Sequence, residues 1–282
     1  MTSKFASLPY LGFGLGLRTV HFEDFITSSP EVDWLEIISE NFLLESARPI
    51  YYLDQIMEKY RVLPHGVSLS IGSSDSLDMA YLKRLKKLVH KLDAPWFSDH
   101  LCWGSSGGTN LHNLMPLPYT SDVAKYVGDR VRIVQDYIEK PFILENVSSY
   151  LEFETSVMTE WDFLTEIVET ADCGILLDVN NVFVSSQNHH FDPMDYMRAM
   201  PKDRVVQYHI AGHDVKDKYI LDTHDHEIQQ DVWDLYRKTI PLFDKVSLML
   251  ERDEHIPPLP DLLSELAYAK SIYDDVMKTH VI

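Results

Sequence analysis

The sequence predicts an α/β protein built as a (β/α)8 barrel of the TIM type. Three observations predict it. Eight short apolar, β-branched or aromatic runs recur along 282 residues. Helix-periodic segments lie between them. No Gly- or Ser-rich linker divides the chain, so residues 1–282 are expected to form one domain, a length ordinary for such a barrel.

The runs cover residues 10–17 (YLGFGLGL), 32–39 (VDWLEIIS), 62–71 (VLPHGVSLSI), 96–103 (WFSDHLCW), 142–150 (FILENVSSY), 174–182 (GILLDVNNV), 205–212 (VVQYHIAG) and 246–253 (VSLMLERD). Each is short enough for a strand and bounded by turn-forming or charged residues. Between the third and fourth runs, Met79, Leu82, Leu85, Leu88 and Leu92 fall on one helical face, with the neighbouring lysines as its solvated side. The segment after the fifth strand opens on Thr159 with Asp162 three residues on, the spacing of a capping box. Ser121 and Asp122 are the expected cap of the helix before it. Helices are likewise expected after the seventh and eighth strands. Residues 104–120 and 185–193 read as long irregular loops following strands, and so as cover for the barrel mouth.

Composition excludes several functions. The formal net charge is -19, from 44 acidic and 25 basic residues, which argues against nucleic acid or an anionic membrane as partner. No apolar stretch is long enough to span a bilayer and the N-terminus lacks a signal-peptide core, so the expected location is the cytoplasm. The two cysteines, Cys102 and Cys173, form no CxxC pair. Cys173 reads as a small core residue; Cys102, two residues past His100, falls on that histidine's side by strand alternation. No GxSxG elbow, phosphate-binding GxxxxGK[ST], GxGxxG or HExxH motif occurs.

What remains lies at the strand ends. Ionisable groups sit near the C-terminal end of seven of the eight runs: Glu36 and Glu40, His65, Asp99 and His100, Glu145 with Asn146, Asp178 with Asn180 and Asn181, His209 and His213, and Glu251, Arg252 and Asp253. Asp222, His224 and His226 follow in the loop after the seventh strand. Singly, such a histidine is usually a hydrogen-bonded polar residue, and Asp178 could simply cap the next turn. A barrel, however, would focus all these groups on one volume, where bare carboxylates repel. Imidazoles and carboxylates without thiolate suit Fe, Mn or Zn, and their number exceeds what one tetrahedral ion can use, so two or three ions are expected. Arg252 reads as an internal counter-ion.

The motifs LGFGLGLR, WLEIISENF, HGVSLSIG, FSDHLCW, LMPLPYT, ILENVSSY, LLDVNNVFV, YHIAGH, LDTHDH and LERD occur in that order. Together they resemble the multinuclear non-haem iron-dependent oxidative enzymes, relatives of the methanobactin-type oxazolone synthases on a xylose-isomerase-like barrel. The resemblance implies two or three irons of mixed Fe(II)/Fe(III) state and O2 as co-substrate. It implies oxidation of cysteine residues in a ribosomally made precursor peptide, and a small partner protein that binds the peptide leader. Carried over by motif, it implies His65, His100, Glu145, Asp178, Asn181, His209, Asp222, His224 and Glu251 as metal ligands. It further implies Asp99 and His213 in catalytic or supporting roles, and His189 and Asn146 at the substrate. Two rivals share the sequence features: a metal-dependent sugar isomerase or zinc phosphodiesterase on the same barrel, and a non-catalytic peptide-binding subunit.

Overall fold

The computed structural model describes residues 4–44, 47–243 and 245–280. Its strands are β1 (Phe13–Gly16), β2 (Trp34–Ile38), β3 (Val62–Gly66), β4 (Phe97–His100), β5 (Trp103–Ser106), β6 (Thr109–Met115), β7 (Phe142–Glu145), β8 (Gly174–Asp178), β9 (Val205–Ile210), β10 (His213–Val215), β11 (Ile220–Asp222) and β12 (Ser247–Leu250). Eight of them close a parallel barrel in the order β1-β12-β9-β8-β7-β4-β3-β2, the expected fold. The other four form two antiparallel hairpins, β5-β6 and β10-β11, in connections beyond strand ends.

Helices cover the outside: α1 (Phe22–Thr27), α2 (Glu40–Leu43), α3 (Ala47–Met57), α4 (Met79–Lys91), α5 (Ser121–Ile138), α6 (Glu160–Ala171), α7 (Val179–His189), α8 (Pro193–Ala199), α9 (Gln230–Thr239) and α10 (Leu259–His280). Leu82, Leu85 and Leu88 of α4 are buried against the barrel as their spacing requires. The Thr159 side chain caps α6 by accepting the Asp162 N–H. For α5 the cap is Thr120, one residue before the expected Ser121; its extended backbone leaves Oγ1 facing the Val123 N–H.

Two expectations fail locally. The strands are shorter than the apolar runs, because polar residues at their ends turn the chain out of the sheet. The sixth run shows why: Asp178 ends β8, and its Oδ1 accepts the Asn181 N–H at 2.7 Å, starting α7. Residues 185–193 are accordingly no loop. They are the second half of α7, its left-handed cap at His190 (φ 60°) and the start of α8. Residues 104–120 do lie over the mouth, but as the β5-β6 hairpin.

Inside the barrel, strand alternation makes layers. Trp34, Leu63, Trp96, Ile143, Leu176 and Met249 form a buried apolar plug with Phe5 and Val206. Two residues further along their strands come Glu36, His65, Ser98, Glu145, Asp178 and Glu251, all buried. Register keeps them level: His100 pairs with Glu145 across β4-β7, and Asp178 with His209 across β8-β9. A dry floor thus carries a polar ring at the C-terminal edge.

Candidate metal centre

The ring resolves into overlapping groups whose ligand atoms lie within 4.8 Å of one another: His65, His100 and Glu145; Glu145, Asp178, His209 and Glu251; His224, Glu251 and Asp253; and Glu36, His65 and His209. The first three form a series joined by shared acids, Glu145 between the first and second and Glu251 between the second and third. Glu145 directs Oε2 at His65 Nε2 (3.2 Å) and His100 Nε2 (3.3 Å), and Oε1 at His209 Nδ1 (3.3 Å). Glu251 Oε2 is 3.2 Å from both His209 Nδ1 and His224 Nδ1.

Surrounding groups fix which nitrogen of each imidazole faces inward. His100 Nδ1 lies 3.1 Å from the Gly66 carbonyl, which can only accept, so Nδ1 carries the proton and Nε2 is the inward lone pair. His209 Nε2 lies 2.8 Å from Glu36 Oε1, which likewise makes it the N–H side. Glu36 is itself oriented by Gln207, whose Nε2 donates to Glu36 Oε2 (2.6 Å) while its Oε1 accepts the Trp96 indole N–H (2.8 Å). His65 Nδ1 is held 2.8 Å from Ser98 Oγ. Lone pairs of neutral imidazoles therefore face carboxylate oxygens, a repulsive arrangement that a proton or a metal cation must bridge.

Hydrogen bonding supports the same reading. Glu145 Oε2, Asp178 Oδ2, Asn181 Oδ1, His209 Nδ1 and His224 Nε2 are buried and make no hydrogen bond of good geometry, although all but Asn181 Oδ1 lie within 4 Å of an oppositely chargeable group. Such atoms are costly to leave unsatisfied, and five of the eleven among the described residues crowd into this one ring. The residues present fit a multinuclear centre of N and O ligands.

Protonation in the metal-free protein follows from the crowding. Burial pushes the Asp178 carboxyl up to about 7. Burial would lower the His209 imidazole, but Glu36, Glu145 and Glu251 outweigh it and hold its pKa well above the ordinary histidine value. His224 behaves likewise, with Asp222 and Glu251 outweighing burial. Metal must displace these protons, so apparent affinity should rise with pH, most steeply below about 7, where Asp178 is protonated. Anaerobic metal titration in the presence of an indicator dye should release more protons per chain at low than at high pH. Equal release would contradict these assignments.

The other expected residues distribute as follows. Asp222 sits 2.7 Å from His224 Nε2, and its carboxylate is held by Asn180 Nδ2 (2.8 Å) and Ser148 Oγ (3.0 Å). His213 is stacked on Phe183, its Nδ1 2.8 Å from Asn180 Oδ1, so it reaches the ring only through Asn180 and Asp222. Asp99 points away from His100's ring. It accepts the backbone N–H of His100 (2.8 Å) and Leu69 (3.2 Å), so the Gly66 carbonyl, not Asp99, fixes the tautomer. A Cβ on Gly66 would lie 2.2 Å from Asp99 Oδ2, so only glycine lets that carboxylate in. Asn146, expected at the substrate, is 1% exposed and gives both amide atoms to the Asp178 main chain, donating at 3.1 Å and accepting at 2.9 Å. It positions Asp178 instead. Asn181 donates to the Asn146 carbonyl (3.0 Å), leaving Oδ1 free. His189 lies outside the ring, its Nε2 2.8 Å from Ser149 Oγ. Cys102 is buried, its thiol pushed well up by burial, and it does not line the mouth.

Three residues beyond the nine implied ligands take part in the ring, two of them, Glu36 and Asp253, among the strand-end groups expected to converge. Glu36 orients His209, and Asp253 joins the His224 group. Arg18, from the LGLR motif, spans Glu251 (3.3 Å) and Asp253. Alternation puts Glu36 in phase with Trp34 on the inner face, in keeping with its expected place at a strand end. Arg18 reaches across more than two hundred residues and left no local signal. Arg252 pairs with Glu265 at 2.8 Å, as an internal counter-ion should.

Above the ring is a cavity of about 210 Å³ lined by His65, His100, Asn181, Asp222, His224 and Glu251, with Ile38, Val67, Leu114 and Val147 among its apolar walls. Leu114 comes from the β5-β6 hairpin, which therefore forms part of the cover.

Comparison with known proteins bears on this geometry. The family profile of RiPP precursor modification enzymes MbnB/TglH/ChrH matches residues 12–274. A UPF0276 protein of Anaeromyxobacter sp. (strain Fw109-5) is 48% identical over 262 residues, 93% of each chain. A UPF0276 protein of Caulobacter vibrioides is 46% identical over 264 residues, covering 93% of this chain and 94% of its own. Among solved structures, a D-tagatose 3-epimerase-like protein superposes with a TM-score of 0.59 at 15% identity, covering 95% of this chain and 97% of its own. Endonuclease IV from Thermus thermophilus gives 0.59 at 12% identity, covering 95% and 99%. These two share the xylose-isomerase-like barrel, and at such identities the likeness speaks to fold alone.

Proposed function

The chain belongs to the family of RiPP precursor modification enzymes MbnB/TglH/ChrH, and on that premise we propose that it oxidises cysteine residues of a ribosomally made precursor peptide, using two or three irons and O2. The observation that carries this reading is the ring of inward-facing imidazoles and carboxylates, whose ligand atoms gather in overlapping groups within 4.8 Å of one another. The residues that would hold the irons are His65, His100, Glu145, Asp178, Asn181, His209, Asp222, His224 and Glu251, with Glu145 and Glu251 each shared between neighbouring groups. Bound iron supplies sites that take a cysteine thiolate and reduce O2.

The chain's own residues do the rest. The Gly66 carbonyl and Glu36 hold His100 and His209 with their ligating nitrogens inward. Arg18 keeps Glu251 and Asp253 in place. Asn146 fixes the strand end that presents Asp178. The apolar walls around the mouth exclude water from a side chain as small as cysteine, and close placement then replaces a bimolecular encounter. Asp99 and His213 are positioning residues, acting through the backbone of His100 and through Asn180. A small leader-binding partner would deliver the peptide in the cytoplasm. Among the described residues no helix is long and apolar enough to cross a membrane.

The test is co-expression with a small cysteine-containing peptide encoded beside the protein, followed by mass spectrometry. A mass change at cysteine, requiring iron and O2 and abolished in a folded His100→Ala variant, is the expected result. An unmodified peptide, or full turnover by His100→Ala, would overturn the assignment.

A further inference from the structure

A second cavity, of about 360 Å³, opens beside the metal centre. Its walls include Tyr119, Phe153, Met158, Trp161 and Phe191, and Glu160 stands among them. We propose that it is a subsite for a cationic side chain, that of lysine or arginine, on the peptide whose neighbouring residue enters the metal centre. The proposal deepens the peptide-oxidation reading and rests on it for the identity of the occupant.

Four observations lead there. First, four aromatic rings, Tyr119, Phe153, Trp161 and Phe191, line the space, and Trp161 is braced against Phe191 at 5.4 Å and 60° and Tyr196 at 5.6 Å and 68°. An ammonium or guanidinium over the face of such a ring is attracted by the ring quadrupole. Second, the charged groups lining the cavity are acidic. Glu160, the first residue of α6, accepts the Tyr196 hydroxyl at 3.0 Å, and Glu152 stands at the rim, 3.6 Å from His189 Nδ1. No lysine or arginine lines it. Third, burial outweighs the tyrosine hydrogen bonds and pushes the Glu160 carboxyl up to about 7, so a cation beside it would favour the ionised form. Fourth, adjacent residues line the two cavities, Ser148 the metal mouth and Ser149 the second cavity. Ser148 Oγ donates to Asp222 Oδ2 in the centre, while Ser149 Oγ meets His189 Nε2 in the second cavity. The chain at Ser148 and Ser149 is thus a wall common to both cavities. His189, expected at the substrate, lines this cavity and not the metal mouth.

The test uses Nα-acetyl-lysine methylamide and its neutral counterpart, Nα-acetyl-norleucine methylamide, titrated into the metal-free protein. Trp161 indole NMR shifts give the readout. No oxidation is required, so failure here is separate from failure of the peptide-oxidation reading. The expected result is a preference for lysine of about tenfold, roughly one charged contact. That preference should be stronger at pH 8 than at pH 6 and be erased by Glu160→Gln. Equal binding of the two probes, binding of neither, or a preference unchanged in Glu160→Gln would overturn it.

Discussion

Glu145→Gln should leave the barrel folded and remove most of its metal. Gln has the same shape, so the packing of β7 beneath it, Phe142 to Leu144, is undisturbed. What changes is the bridge. Glu145 serves His65 and His100 through one oxygen and His209 through the other, joining two ligand groups. An amide offers one acceptor and one donor, and it cannot neutralise two cations. Metal content should fall to one ion per chain or fewer. Peptide oxidation should fall by at least about a hundredfold, the upper range for losing a residue that merely orients a metal ligand. Circular dichroism, metal analysis and single-turnover kinetics on the same preparation check it. Retained metal with retained activity would mean that Glu145 is not a ligand.

His209→Ala should be the most damaging single change to the metal-free protein. The imidazole is fully buried between Glu36, Glu145 and Glu251, at 2.8, 3.3 and 3.2 Å. Removing it leaves three buried carboxylates facing one another, and breaking a buried pair in this way costs about 3–5 kcal/mol. The pH dependence has a definite sign. Burial opposes ionisation of Glu145, but His100, His209 and His65 outweigh it and lower its pKa to about 2; Glu251 is lowered well below the ordinary value by His209 and His224 in the same way. The stability these carboxylates draw from their histidines is therefore present above the ordinary glutamate pKa and lost as pH falls toward 2. The penalty of His209→Ala should be full at neutral pH and fade in acid. Urea unfolding of both metal-free proteins at neutral and acid pH measures it; a penalty that grows in acid would contradict the charge assignments.

The sequence made the barrel legible because burial on both faces of a parallel sheet leaves continuous apolar runs, and eight of them alternate with amphipathic segments. The ring was legible for a related reason. In this fold polar residues at strand ends converge, so a pool of candidate groups as distant as His65 and Glu251 could be placed at one mouth, while the choice of nine ligands came from the family resemblance. The losses have physical causes. Asp178 both caps a helix and points an oxygen into the ring, so reading it as a strand residue extended β8 four residues too far. Asp99 is adjacent to His100 in a strand, so the two face opposite ways, and alternation alone argued against a shared site. Asn146 is buried because its amide ties two strand ends together, a contact between β7 and β8 that no local pattern encodes. The role of Arg18 depends on β1 meeting β12, which is the closure of the barrel itself.

The most direct test of the central claim, that one ring of strand-end side chains holds several metal ions through shared carboxylates, is anaerobic loading with Fe(II) followed by a crystal structure using anomalous scattering at the iron edge. The account predicts two or three iron peaks within the ring, one flanked by His65 and His100 and the next across Glu145 beside His209 and Asp178. A single peak, or iron bound only at surface carboxylates with the ring empty, would contradict it.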